Sequence, residues 1–205
     1  MNILAALTAL LLIPVLAVAP AAQPPPTQHV RGQITAADAV SITVKTRAGT
    51  TLRLALAPDL GVTSLTKADF SDVKVETYVG SATVPIRPAP RSEDMPTLTA
   101  LELRIFPESM KGAGEGQRKW DLTPDSTMTN GTVYALEGRV VSIRFKGNER
   151  AVHVPAHAPV IKIGPGDKGL LKPGAHIFAV AQKGANGNLT ALGISVGKDG
   201  LVPSM

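Results

Sequence analysis

The sequence predicts an all-β chain made of two tandem small five-stranded barrels of the OB type, and three observations predict it. The octamer Leu98-Thr99-Ala100-Leu101-Glu102-Leu103-Arg104-Ile105 returns as Leu189-Thr190-Ala191-Leu192-Gly193-Ile194-Ser195-Val196, and self-similarity at long spacing marks a duplicated unit. Val30-Arg31-Gly32-Gln33-Ile34 is answered by Leu136-Glu137-Gly138-Arg139-Val140, so the two copies also open alike. Within each copy apolar and polar residues alternate at period two, the mark of half-buried strands.

The elements of the first copy follow in order. His29 to Thr35 is the first strand, and Val40 to Thr46 the second, with Val40, Ile42 and Val44 on one face. The turn Arg47-Ala48-Gly49-Thr50 leads into Leu52, Leu54 and Leu56, and Pro58 is expected to end that third strand. Thr66-Lys67-Ala68-Asp69 has the character of a helix start for one short turn around Phe70. Alternation resumes from Val73 to Val84, and Leu98 to Phe106 closes the unit. Five strands with a short helix between the third and fourth have the order of a small OB-type barrel, an order that an open sheet shares.

The second copy retraces this path through Tyr134 to Ile143, a Lys146-Gly147-Asn148-Glu149 turn, Ala151 to Val154, and Ala175 to Gln182. Its last hairpin is tight, turning through Gly184-Ala185-Asn186-Gly187-Asn188, where the first copy carries a Pro-rich insertion from Pro85 to Pro96. The predicted divisions are a signal peptide over 1–22, a Pro-rich linker over 23–28, a first OB-like domain over 29–106, a Gly-rich linker over 107–131 and a second OB-like domain over 132–205. Thr129-Asn130-Gly131 reads as a turn within that linker.

The opening residues bear on location. Ile3 to Ala19 is an almost continuous apolar run followed by Ala21 and Ala22, the pattern of a secretory signal peptide cleaved before Ala22 or Gln23. The run is shorter than the ~20 residues of a spanning helix and contains Pro14. A periplasmic or secreted protein is expected, and not an integral membrane protein after signal cleavage. The chain has no cysteine, which excludes disulfides, thiolate metal sites and a lipid-modified cysteine.

The opening Gly32 and Gly138 strands, the Lys172-Pro173-Gly174 turn and the two closing Leu-Thr-Ala-Leu strands resemble a bacterial family of small exported proteins built from repeated OB-like β-barrel units, of unknown function. The resemblance spans most of the chain after the signal. It implies a fold and no activity.

Chemistry concentrates between the copies. The segment from Pro107 to Leu122 joins a Gly-rich stretch to Glu108, Arg118, Lys119, Trp120 and Asp121, and Trp120 is the single tryptophan. Cations, carboxylates and a flat apolar face suit a binding loop on a rigid scaffold. A lone tryptophan more often serves burial, and Trp120 is expected first as a plug between the two barrels. Gly164-Pro165-Gly166-Asp167-Lys168-Gly169 fits G-x-G-x-x-G, but Pro173-Gly174 leaves no room for the helix a dinucleotide site requires. No cofactor is expected. His153, His157 and His176, with Met95, Met110 and Met128, are the residues a soft metal would use, yet Pro155 breaks the His153–His157 spacing, and no metal site is assigned. No nucleophile with an identifiable base is present, so no catalytic residue is assigned.

Charge adds one direction. The net of +5 is uneven: 9 Lys and Arg face 4 Asp and Glu over 132–205, against 9 and 8 over 28–105 and 3 and 4 over 106–131. Few aromatics accompany the basic half, which disfavours nucleic acid. The excess reads either as a solubilising surface charge or as a face for an acidic envelope component or protein. The expectation is an exported, non-catalytic binding or scaffolding protein of the cell envelope, with a periplasmic metal-binding accessory protein using His and Met ligands as the alternative.

Overall fold

The computed structural model describes residues 26–89, 96–184 and 186–204; the expected signal peptide and residues 23–25 of the expected linker lie outside them. The chain is all-β. Its strands are β1 (Thr27–Ala37), β2 (Ser41–Thr46), β3 (Thr51–Ala68), β4 (Tyr78–Pro85), β5 (Leu98–Ile105) and β6 (Gly116–Lys119), then β7 (Thr127–Glu137), β8 (Val140–Phe145), β9 (Asn148–His153), β10 (Val160–Pro165), β11 (His176–Lys183) and β12 (Leu189–Gly197). Three one-turn 3₁₀ helices, Phe70–Asp72, Glu108–Met110 and Lys168–Leu170, punctuate them.

Five strands in the order β12-β11-β1-β2-β3 form a closed barrel, because β12 also pairs in parallel with β3. Alternation decides its core: Val30 and Ile34 of β1, Ile42 and Val44 of β2, Leu54 of β3, Ile177 and Ala179 of β11 and Ile194 of β12 meet inside. The strands β5-β4-β7-β8-β9 make a second ring around Val79, Leu103, Val133, Val141, Ile143 and Val152. It closes where Leu98 and Thr99 lie beside Val152 and His153. Between the rings β10 pairs antiparallel with β3 and parallel with β5.

This pairing corrects the expected partition into 29–106 and 132–205. The closed barrel takes three strands from the first half of the chain and β11 and β12 from the end; the second ring takes β4 and β5 from the first half. Each half thus supplies three strands to one ring and two to the other. The pairings correspond closely. β1 against β11 repeats β7 against β4, and Leu192 and Leu101 occupy matching bulges on β12 and β5. Glycine shows the correspondence most sharply. A Cβ on Gly32 would lie 2.2 Å from the Lys45 carbonyl oxygen, and one on Gly131 would lie 2.4 Å from that of Arg144. The geometric partner of Gly32 is therefore Gly131 and not Gly138, which occupies the β7–β8 turn with φ +54°. Thr129-Asn130-Gly131 is accordingly the middle of a strand rather than a turn.

Three boundaries also move. β3 runs through Pro58 to Ala68, because four residues from Ala57 to Leu60 bulge away from β12 between Leu56 and Gly61, and a bulge needs no ladder donor from proline. Residues 73–77 form a turn before β4, with Glu76 at φ +70°. The short helix starts at Asp69, whose capping box with Asp72 satisfies the first backbone donors.

Candidate functional site: a seam and a cationic cleft

The Gly-rich stretch is a fixed loop. After the turn at Glu108–Met110 the chain reverses through Gly114 and Gly116, at φ +58° and +125°, conformations open to glycine. Four bonds pin the loop. The Tyr78 hydroxyl and Asn130 Nδ2 both donate to the Ala113 carbonyl, at 3.2 and 3.1 Å. Arg118 Nη1 donates to the Gly114 carbonyl at 2.9 Å, and the Lys146 N–H donates to Glu115 Oε1 at 2.9 Å. The expected linker therefore contains a strand, β6, paired antiparallel with β7.

Beyond β6 the chain enters the seam between the rings. The Trp120 ring lies 4.3 Å from that of His29 on β1 and 6.1 Å from Phe178 on β11, and with Leu101 and Leu122 it packs against the cluster of Ala82 and Met128. Asp121 accepts from Arg31 Nη1 and Nη2 at 2.9 and 2.7 Å, and His29 Nδ1 sits 3.1 Å from its Oδ2. Burial alone would raise the Asp121 carboxyl; hydrogen bonds from Arg31 and His29, and their charges, outweigh it and hold the group at about 2. Phe178 is flanked by the Arg31 and Arg104 guanidiniums, 5.0 and 5.5 Å from its centroid.

Deeper in the seam, Glu102 is fully buried. Its Oε1 accepts from Arg104 Nε at 2.6 Å, and its Oε2 accepts from the Ser204 N–H at 3.3 Å and from the Ser204 hydroxyl. The C-terminal tail is thereby held against the seam, with Leu201 packed on Leu65, Ile161 and Ile163. Sequence reasoning passed over Glu102, Arg104, His29 and Phe178. All four sit on the outward face of period-two strands, where a lone sequence signals solvent and a second ring supplies burial instead.

Arg118 reaches both ways, its guanidinium lying 5.6 Å from the Trp120 ring centroid at the margin of the seam. With Lys146 of the β8–β9 turn and Arg150 of β9 it lines a cleft of about 380 Å³ that also includes Glu115, Gln117, Phe145 and Asn148. Among the described residues none of these three cations forms an ion pair. Burial without a carboxylate partner pulls the Arg118 guanidinium below its ordinary value, opposed by the nearby Tyr78 phenol.

The five residues singled out in the sequence therefore divide. Trp120 and Asp121 join the seam, and Arg118 joins the cleft. Lys119 is exposed on β6, and Glu108 stands apart, 3.5 Å from Lys111. His153 belongs to β9 and His176 to β11, in different rings. No group of three or more His, Asp or Glu among the described residues is placed to hold a metal. No described helix is long and apolar enough to cross a membrane. Comparison with known proteins finds no matching family model, curated protein or solved structure.

Proposed function

We propose that the protein is an exported, non-catalytic binding or scaffolding component of the cell envelope, and that its partner is acidic. The observation that carries this reading is the cleft beside β6. Three cations from three separate elements converge there, against one carboxylate, Glu115, that already accepts the Lys146 N–H. Like charges gathered on a rigid frame give a local positive potential that attracts an anion. Replacing Arg118, Lys146 and Arg150 together by Gln should abolish retention of the protein on immobilised polyglutamate at low salt while leaving its thermal midpoint in place; unchanged retention rejects the reading. Export predicts a mature chain beginning near Ala22 that fractionates with soluble periplasmic proteins, and intact mass with Met1 retained in a membrane pellet rejects it.

The architecture belongs to the same proposal. The chain is a duplicated OB-like unit whose copies have exchanged their last two strands, so that neither half closes a ring alone. The exchange places Gln33 opposite His176. Because the Ile34 N–H donates to Ala175, this neighbouring pair is the close, non-hydrogen-bonded kind, within reach of a disulfide. Gln33→Cys with His176→Cys should oxidise within one chain. Failure to form that bond in the folded protein rejects the exchange.

A further inference from the structure

The charge of the cleft says what sign of partner it takes; the backbone beside it says what shape. β6 pairs with β7 on one side and with no described strand on the other. The Trp120 N–H donates to the Ser126 carbonyl at 2.8 Å, which sets the alternation along β6. Arg118 and Gly116 turn their main-chain groups toward β7, and Gln117 and Lys119 turn theirs away. The main-chain donors and acceptors of Gln117 and Lys119, which no described strand uses, meet at Gln117 the cleft lined by Arg118, Lys146 and Arg150.

We infer that β6 is a strand-addition edge, and that its occupant is an extended acidic segment of a partner protein. The inference rests on the acidic-partner reading of the same cleft. Exposed edges are commonly protected by Lys and Arg, and these cations do exclude a second copy of the same edge, since like charges would meet. They do not exclude an acidic strand. An extended peptide presents every second side chain to one face, so an acid-x-acid pattern sets two carboxylates toward the cleft while its main chain pairs with Gln117 and Lys119. A polyanion without a peptide backbone, such as a lipid surface, uses the charges and leaves the edge groups idle. The edge therefore favours a peptide, and specificity arises from needing both the charge and the strand.

The test titrates the full mature chain against a fluorescently labelled peptide of alternating Glu and Val, read by anisotropy. Two comparisons accompany it: the same peptide N-methylated at alternate residues, and vesicles of phosphatidylcholine with one third phosphatidylglycerol. A Gln117→Pro variant complements them, because it removes an edge N–H that β7 does not use and leaves every cation in place. Binding should fall about tenfold on N-methylation and again about tenfold in Gln117→Pro, the loss expected from one or two main-chain hydrogen bonds. If the acidic peptide binds but ignores both changes, strand addition is wrong and the acidic-partner reading stands. Strand addition is equally wrong, and the acidic-partner reading again stands, if the vesicles bind and the peptide does not. If neither binds, both readings fall. Should Gln117→Pro not fold, the N-methylated peptide decides alone.

Discussion

β3 and the β9–β10 stretch occupy the same place in the two rings, and they solve it differently. β3 is one strand of 18 residues that stays paired with β12 on both sides of its bulge. Its counterpart breaks after His153 and resumes at Val160, and β5 meets the two pieces over two and three residue pairs. The difference is proline. β3 contains Pro58, which a bulge absorbs, whereas Pro155 and Pro159 bracket the gap in the other ring. Arg139 repairs part of the damage, with Nε and Nη2 donating to the carbonyls of Val154 and Pro155 at 2.6 and 3.0 Å and the guanidinium 4.4 Å over the Phe70 ring. The Pro155 carbonyl also accepts from the Ala158 N–H at 3.0 Å, so a parallel closure survives two prolines when a local turn and a neighbouring side chain together take up the carbonyls at the break.

The glycines at the close strand approaches carry the largest expected effect of the correspondence between the rings. If the rings correspond, Gly32→Ala and Gly131→Ala should be similarly damaging, since each added methyl meets a carbonyl oxygen of the adjacent strand. Backbone cannot move aside as a side chain can, so each should cost about 3 kcal/mol or more, at the upper end of overpacking. Urea melts of the two variants measure it. A severe effect at one position and a mild one at the other would show that the rings are alike in topology only.

The seam sharpens the comparison because it serves both rings together. Trp120 packs on His29 of one and Met128 of the other. It is half-buried, so Trp120→Ala should cost about 2 to 3 kcal/mol, below the 3 to 5 of a fully buried aromatic. Amide exchange should accelerate in both rings. Protection lost in β7 and β8 alone, with β1 and β11 unchanged, would mean that the seam does not couple them.

Much of this was legible in the sequence. The period-two runs gave the strands, and the repeated octamers fall at matching places in β5 and β12, down to the bulges at Leu101 and Leu192. Which strands pair across the two halves of the chain was not legible. A strand carries the same inward-facing pattern whether its neighbours come from its own half or from the other, so Val30 and Ile34 are silent about pairing with β4 or β11. The opening match also misled, because Gly32 and Gly138 share a short string while close backbone approach makes Gly131 the equivalent. The cleft had a partial signal in Arg118. Its companions Lys146 and Arg150 lay some 30 residues on, brought beside it by the pairing of β6 with β7 and the bond from the Lys146 N–H to Glu115.

The smallest expected effect, and the most specific, concerns Asp121. Its ordinary value of 3.8 is lowered to about 2 by Arg31 and His29, so the ionised form is favoured in the folded state. The stabilisation is complete above the unfolded value, declines as pH falls below about 4, and is gone once pH passes the folded value near 2. A shift of that size corresponds to roughly 2.5 kcal/mol at most. The Asp121 side chain is 46% exposed, and solvent screening reduces the contribution to roughly 1 kcal/mol. Asp121→Asn should therefore be less stable than the parent by about that amount at pH 7, and the gap should close between pH 4 and pH 2 as the parent's carboxyl is protonated. Denaturant melts at pH 7, 4 and 2 follow the gap directly. A gap that persists unchanged at pH 2 would assign the loss to packing against His29 and not to the charge that joins Asp121 to β1.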